Sequence, residues 1–277
     1  MKTLSIFLLS IVTASAQVEK LAGDMKFTEG PVWIPAKNIL VWSDIPNSVL
    51  MQWSPDTKEA KEYRKVEATN GNLLDHEGRL LSCQHSGRNV IREDKDGSIT
   101  VLVDKFDGKK LNSPNDLAIH SDGSIWFTDP TYGLKGQPGE IGGQWVYRFD
   151  PKTKKMTVIT KEFDMPNGIV FSPDEKTVII SDTGKLGKIR AFPVNDDNTI
   201  GTMKWEADIR CDGMVVDKDG NIYTTTGKGI EILSPEDGKV TKTIKIPEHP
   251  ANCTLGGKDN KTLFVTARTG LYSVQLE

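Results

Sequence analysis

Residues 122–129 read Asp-Gly-Ser-Ile-Trp-Phe-Thr-Asp. An Asp-Gly pair accepts positive φ and closes a tight hairpin. The run after it, rich in Ile, Trp, Phe and Thr, suits a strand. The same pattern of a short polar turn and a strand-like run recurs along the chain. Its other copies are Lys37-Asn38 then ILVWSD, Glu77-Gly78 then RLLSC, Asp174-Glu175-Lys176 then TVIISD, Asp219-Gly220 then NIYTT, and Asp259-Asn260 then KTLFVT. The turns sit at 38, 78, 123, 176, 220 and 260, separated by steps of 40, 45, 53, 44 and 40 residues. Units of that length fit four-stranded propeller blades. Six of them predict an all-β fold, a six-bladed β-propeller around a central channel. No long stretch carries a helical apolar period.

The rest of the chain is consistent with one such domain. Its 277 residues, 37% of them hydrophobic, can bury a real core. A net charge of −3, with no basic stripe and no charged tail, argues against a nucleic-acid partner. Residues 1–16 differ in character from the remainder of the chain. Lys2 supplies a positive start, Leu4 to Val12 is an apolar run broken by Ser5 and Ser10, and Ala14-Ser15-Ala16 offers a small-residue cleavage site before Gln17. That is the layout of a secretory signal peptide. It predicts a secreted or periplasmic protein whose propeller occupies residues 17–277. The apolar run is too short for a stable membrane anchor, so no membrane association is expected after cleavage. Three cysteines, Cys83, Cys211 and Cys253, make no disulfide framework and read as small buried hydrophobes.

Ahead of each turn lies a second segment: EGPVWIP from Glu29, NGNLLD from Asn70, SPNDLAIH from Ser113, MPNGIVFSP from Met165, CDGMVVD from Cys211 and ANCTLGG from Ala251. These are expected to be the inner strands of the blades. Their first residues would gather at one mouth of the channel. Glu29, Asn70 or Asn72, Asn115, Asn167, Asp212 and Asn252 hold related places, so residues distant in sequence converge on one axis. Taken singly, Pro114-Asn115-Asp116, Pro166-Asn167-Gly168 and Asp212-Gly213 read as ordinary turns. Repeated at the head of each buried strand, they read as a constellation. Carboxylate and amide oxygens are the ligands that hard divalent cations prefer.

These motifs resemble the senescence marker protein (regucalcin)/gluconolactonase family. The resemblance rests on Glu29-Gly30-Pro31-Val32-Trp33, on LNSPNDLAIHSDGSIWFTDPTYGL from Leu111 to Leu134, on MPNGIVFSPDEKTVIISDT from Met165 to Thr183, and on Cys211-Asp212-Gly213-Met214. The block LLDHEGRLLSCQHSGRNVIRED is similar to bacterial gluconolactonases. The resemblance implies a six-bladed propeller with one divalent metal at the channel mouth. Glu29, Asn167 and Asp212 match the family's metal ligands, and Asn115 matches a substrate-contacting asparagine. Asp129 lies where members carry an acidic residue near the substrate. Ca²⁺ is the first expectation, with Mg²⁺, Mn²⁺ or Zn²⁺ compatible. Ser113 departs from the pattern, standing where the family has a substrate-contacting arginine.

The implied substrate is a small sugar lactone, opened by a metal-polarised carbonyl and an activated water. Asp212 is the first candidate for general base. His85, which follows the strand-like LLSCQ, is the second candidate and a substrate contact. His76, His120 and His249 sit in expected turns and read as structural or solvated. A phosphotriesterase-like or other ester hydrolase uses similar oxygen ligands, and a propeller that binds a ligand without catalysis is the reading from another class. No G-x-S-x-G elbow, H-E-x-x-H or phosphate-binding loop is present. The 53-residue step marks an insertion, and Tyr132 to Gln144 is expected to form a partial lid.

Overall fold

A computed structural model of the protein describes residues 17–276. The leader expected over residues 1–16 lies outside the described residues. Six four-stranded antiparallel sheets follow one another around a ring. Blade 1 runs through Thr28–Ile34, Ile39–Asp44, Val49–Trp53 and Ala60–Lys65. Blade 2 comprises Thr69–Leu74, Leu80–Gln84, Asn89–Glu93 and Ile99–Val103, and blade 3 comprises Leu117–Ile119, Ile125–Asp129, Trp145–Asp150 and Lys155–Thr160. Blade 4 uses Pro166–Phe171, Thr177–Asp182, Ile189–Pro193 and Trp205–Ala207, and blade 5 uses Met214–Val216, Ile222–Thr226, Gly229–Leu233 and Val240–Ile244. Blade 6 takes Pro250–Gly256, Thr262–Ala267 and Gly270–Gln275 from the end of the chain and Val18–Ala22 from its beginning. Val18 pairs with Val274 and Lys20 with Tyr272, so the two ends of the ring are joined by backbone hydrogen bonds.

The turns that define the repeat adopt the backbone their residues favour. Left-handed φ occurs at Asn38, Gly78, Gly123, Glu175, Gly220 and Asn260, one per blade. Strand alternation then divides the core into wedges. In blade 3, Ile125 and Phe127 pack toward blade 2, whereas Trp126 packs toward blade 4. Each of six apolar clusters lies between two adjacent blades, the last joining Trp33 and Trp42 of blade 1 to Phe264 and Leu271 of blade 6. The apolar side chains thus fill the wedges and leave the axis to polar groups. Cys83, Cys211 and Cys253 are buried, unpaired members of these wedges, in line with their reading as small hydrophobes.

The axis is held together by two devices. A buried hydroxyl on the second strand of one blade reaches the main-chain carbonyl at the mouth of the next. Ser43 Oγ donates to Asn70 O (2.7 Å), Thr128 Oγ1 to Asn167 O (2.7 Å), Ser181 Oγ to Asp212 O (3.0 Å) and Thr225 Oγ1 to Ala251 O (2.8 Å). The second device is a glycine following the mouth residue. A Cβ on Gly30 would lie 2.0 Å from Asn70 O, one on Gly71 2.7 Å from Asn115 O, and one on Gly168 2.6 Å from Asp212 O. On Gly213 it would meet the Asn252 side chain at 2.1 Å. No side chain fits there, and neighbouring inner strands touch because none is present.

Candidate active site

The inner strands deliver their first residues to one cavity of about 660 Å³, lined by Glu29, Asn70, His85, Asn115, Asn167 and Asp212 among others. A volume of this size lies within the usual range for small-molecule sites. Glu29 is 2% exposed, and its Oε2 accepts from the Gly30 amide at 2.8 Å. Burial raises its carboxyl well above the usual range, and the Asp212 and Asp116 charges push the same way. Asp212 is more open to the cavity. Burial pushes its carboxyl up to about 7, while the Asn167 amide and the Arg268 guanidinium pull it down. Its main chain is fixed from both sides, with O accepting from Gly168 N at 3.0 Å and N donating to Thr225 O at 3.2 Å.

The two asparagines at the heads of blades 3 and 4 are set by the same contacts. Asn115 O accepts from Gly71 N at 2.8 Å. Asn167 Nδ2 donates to Thr183 Oγ1 at 3.3 Å, leaving Oδ1 as its free oxygen. Of the two candidates in blade 2, Asn70 faces the cavity. Asn72 is a tie within the wall, donating to Gly30 O at 2.8 Å and accepting from Ser82 Oγ at 2.6 Å.

His85 lies at the same mouth, as expected. Asn70 Nδ2 is 3.0 Å from its Nε2. Burial lowers its pKa to about 4, so the ring is neutral at pH 7. With Asn70 donating to Nε2, the proton of the neutral ring sits on Nδ1. The ring lies 6.5 Å from that of Tyr132 at an interplanar angle of 26°.

Three expectations change. Asp129 does not reach the cavity. Its carboxyl is fully buried and turned into the entering loop, where Oδ2 accepts from Asn112 N at 2.8 Å. Burial pushes its pKa up to about 7. Asp44 does the same for Phe27 N (3.1 Å), and Asp182 for Asp164 N (2.6 Å), so the repeated Ser-Asp and Thr-Asp pairs are loop clamps. The segment from Tyr132 to Gln144 contributes only Tyr132 to the cavity, where its hydroxyl contacts Thr183. The remainder folds back on the rim, with Gly143 O accepting from Asn112 Nδ2 (3.0 Å) and Gln144 Oε1 from Thr131 N (2.8 Å). His249, read as a structural or solvated turn residue, lines the cavity. His120 is structural, lying 3.3 Å from Asp122 and 3.4 Å from Glu175.

Residues that the repeat did not single out complete the site. Phe27, Ile45, Tyr132, Thr183 and Arg210 line it from connections beside the inner strands, and Thr225 from the second strand of blade 5. Asp116, one position beyond Asn115, sits deeper in the channel, pushed up to about 7 by burial and 3.4 Å from Asn252 Nδ2. Ser113 is occupied structurally, donating to Pro130 O (2.7 Å) and accepting from Gly133 N (2.9 Å).

A family model described as SMP-30/Gluconolactonase/LRE-like region matches residues 27–269. The chain belongs to that family. Similar proteins include the gluconolactonase of Zymomonas mobilis, 28% identical over 298 residues that cover 96% of this chain and 83% of that protein. The 6-deoxy-6-sulfogluconolactonase of Pseudomonas putida is 26% identical, covering 86% of this chain and 82% of its own. Among solved structures, a gluconolactonase from Xanthomonas campestris superposes with a TM-score of 0.88 at 32% identity, covering 95% of this chain and 90% of that one.

Whether the residues suit a divalent cation can be asked of the site itself. Among the described residues, no three His, Cys, Asp or Glu side chains gather as a metal cluster. The donors available are two carboxylates, Glu29 and Asp212, with the Asn167 amide oxygen. Asn70 Oδ1, also at this mouth, is buried without a hydrogen-bond partner. Two buried carboxyls with raised pKa, beside amide oxygens free to accept, fit a hard cation.

The geometry makes one prediction about positioning. A methyl group on Gly168 would press on Asp212 O at 2.6 Å, a backbone atom that cannot swing away. Gly168→Ala should cost roughly 1–3 kcal/mol in denaturant unfolding and displace Asp212. A variant of unchanged stability and activity would show that the contact does not set the site.

Proposed function

We propose that the protein is a metal-dependent lactonase that hydrolyses a gluconolactone-like sugar lactone. The observation that carries this reading is the convergence of Glu29, Asn115, Asn167, Asp212 and His85 on one cavity. The lactone-hydrolysing relatives support the same reaction class. Glu29, Asn167 and Asp212 would hold the cation, Ca²⁺ by the hardness of the donor set. When bound, the cation supplies Lewis acidity toward the lactone carbonyl and offsets the charge that develops on its oxygen.

The chain's own residues do the rest. Asn115 and Asn70 hydrogen-bond the sugar and orient its ring carbonyl over Asp212. His85, kept neutral by burial and with Nε2 engaged by Asn70, presents Nδ1–H as a donor to a substrate oxygen. Asp212, the more open of the two carboxylates, takes the proton of the attacking water. The water oxygen bonds to the lactone carbon, the ring C–O bond breaks, and the leaving ring oxygen recovers the proton, giving the open-chain acid. Tyr132 and Phe27 wall the mouth against bulk water. A propeller that merely binds a ligand has no need of two costly buried carboxylates side by side.

The test is proton release from gluconolactone, followed before and after chelation with single metals added back. Activity should vanish with chelator and return with Ca²⁺. Glu29→Gln and Asp212→Asn should each lower kcat roughly 100-fold or more, the scale of a lost Lewis acid. Full activity in chelator would sink the metal-dependent reading.

We further propose that the protein is exported and that residues 1–16 are removed. Support comes from the composition of that segment and from the closing strand Val18–Ala22, which begins just beyond the expected cleavage point and would survive it. Sequencing the N-terminus of the protein recovered outside the cytoplasm should return Gln17. An intact Met1 there, or a wholly cytoplasmic protein, would contradict export.

A further inference from the structure

Arg210 is the one permanently charged cation among the described residues that line the cavity. It sits in the connection from blade 4 to blade 5, two residues before Asp212, and its side chain is exposed. Its hydrogen bonds run to two main-chain carbonyls, Nη1 to Thr183 O at 2.7 Å and Nη2 to Gly184 O at 2.8 Å. In blade 4, Lys188 and Arg190 both pair with Glu206, whereas Arg268 lies over the Phe27 ring and acts on Asp212. The carbonyls fix the guanidinium in place without neutralising it. Two of the five N–H groups of an arginine are used this way, which leaves three, Nε–H among them, as donors.

The position relates this charge to the reacting end of the site. Thr183, whose carbonyl holds Arg210, also accepts from Asn167 through its hydroxyl at 3.3 Å. Arg210 and Asn167 therefore share Thr183 as a partner, one at its carbonyl and the other at its hydroxyl. Two residues of extended chain span at most about 7 Å, so the backbone keeps Arg210 and Asp212 at one part of the mouth. The opposite rim, formed by Asn70 and His85, offers neutral groups only. A fixed guanidinium without a carboxylate partner is suited to bidentate recognition of an oxyanion.

We propose that Arg210 is a specificity-determining residue that binds an anionic substituent at the end of the lactone remote from its carbonyl, so that the substrate class is acidic aldonolactones. This rests on the lactonase reading and adds to it the charge and orientation of the substrate. The lactone carbonyl lies toward Asp212 and the anionic tail toward the blade 4–5 rim.

The test uses the full mature chain, metal-loaded, as wild type, Arg210→Gln and Arg210→Lys. kcat and KM are measured for gluconolactone and for its analogues bearing a phosphate or a sulfonate on C6. In the wild type, kcat/KM should favour an anionic lactone, and the group preferred identifies the tail. Arg210→Gln should lower the ratio of anionic to neutral kcat/KM by roughly 10- to 100-fold, the scale of a charge-assisted contact, chiefly through KM. Arg210→Lys should keep part of it. A role as a mere brace for residues 183–184 would lower every substrate in common, and an unchanged ratio overturns the proposal. Calorimetric binding of gluconate and of 6-phosphogluconate to wild type and Arg210→Gln separates this outcome from failure of the lactonase reading. Should no lactone be hydrolysed, selective loss of 6-phosphogluconate binding still supports the assignment, and equal binding overturns it.

Discussion

The site depends on how closely one inner strand can approach the next. Gly30, Gly71, Gly168 and Gly213 each follow a polar mouth residue, and each lies where a Cβ would collide with the neighbouring blade. Removing the side chain at that point lets the main chains meet. Gly71 N then donates to Asn115 O, Gly168 N to Asp212 O and Gly213 N to Ala251 O, at 2.8, 3.0 and 2.8 Å. The hydroxyls of Ser43, Thr128, Ser181 and Thr225 complete the stitching from the second strands. A mouth residue is therefore held by its backbone on both sides, and its side chain is free to face the axis. This is the preorganisation that a functional site needs, supplied by the heads of the inner strands and the residues just ahead of them.

The same arrangement explains the electrostatics. Six apolar wedges sit between blades, so polar groups collect along the axis. Once there, Glu29, Asp116 and Asp212 share a confined space, and burial raises all three carboxyls. Arg268 bears on Asp212 electrostatically, but the axis remains acid-rich. A divalent cation is the natural complement of such a site, and it would draw the carboxyls back toward ionisation. The rim carries the opposite sign at Arg210, so the cavity is polar from end to end.

Much of this is legible in the chain. Turn chemistry recurs at a blade-sized period because every blade must reverse its two inner strands, and that constraint leaves Asp-Gly or Asn in place. The mouth residues follow from the same period. What the period does not resolve are directions and partners. Asn70 and Asn72 both fit the pattern, and only the packing of Gly30 and Gly71 decides that Asn70 faces the cavity. Asp129 reads as a residue near substrate, yet the equivalent Asp44 and Asp182 are present in the same repeat and mark a loop clamp. A buried Ser or Thr recurs in each second strand, at 43, 82, 128, 181, 225 and 266; those at 43, 128, 181 and 225 stitch to the next blade, whereas Ser82 and Thr266 bond within their own. His249, Thr183 and Arg210 lie in connections whose paths no local pattern dictates. Closure of the ring by Val18–Ala22 joins the two ends of the chain and leaves no trace in the blade-to-blade spacing.

The claim on which the rest turns is that the oxygens gathered at the mouth form one site for a hard dication. Calorimetric titration of Ca²⁺ into chelator-treated protein measures this directly, with Glu29→Gln and Asp212→Asn as comparisons. A single saturable site is expected in the wild type, abolished or strongly weakened in both variants while each remains folded. Binding of equal strength in the variants, or no binding in the wild type, would contradict it.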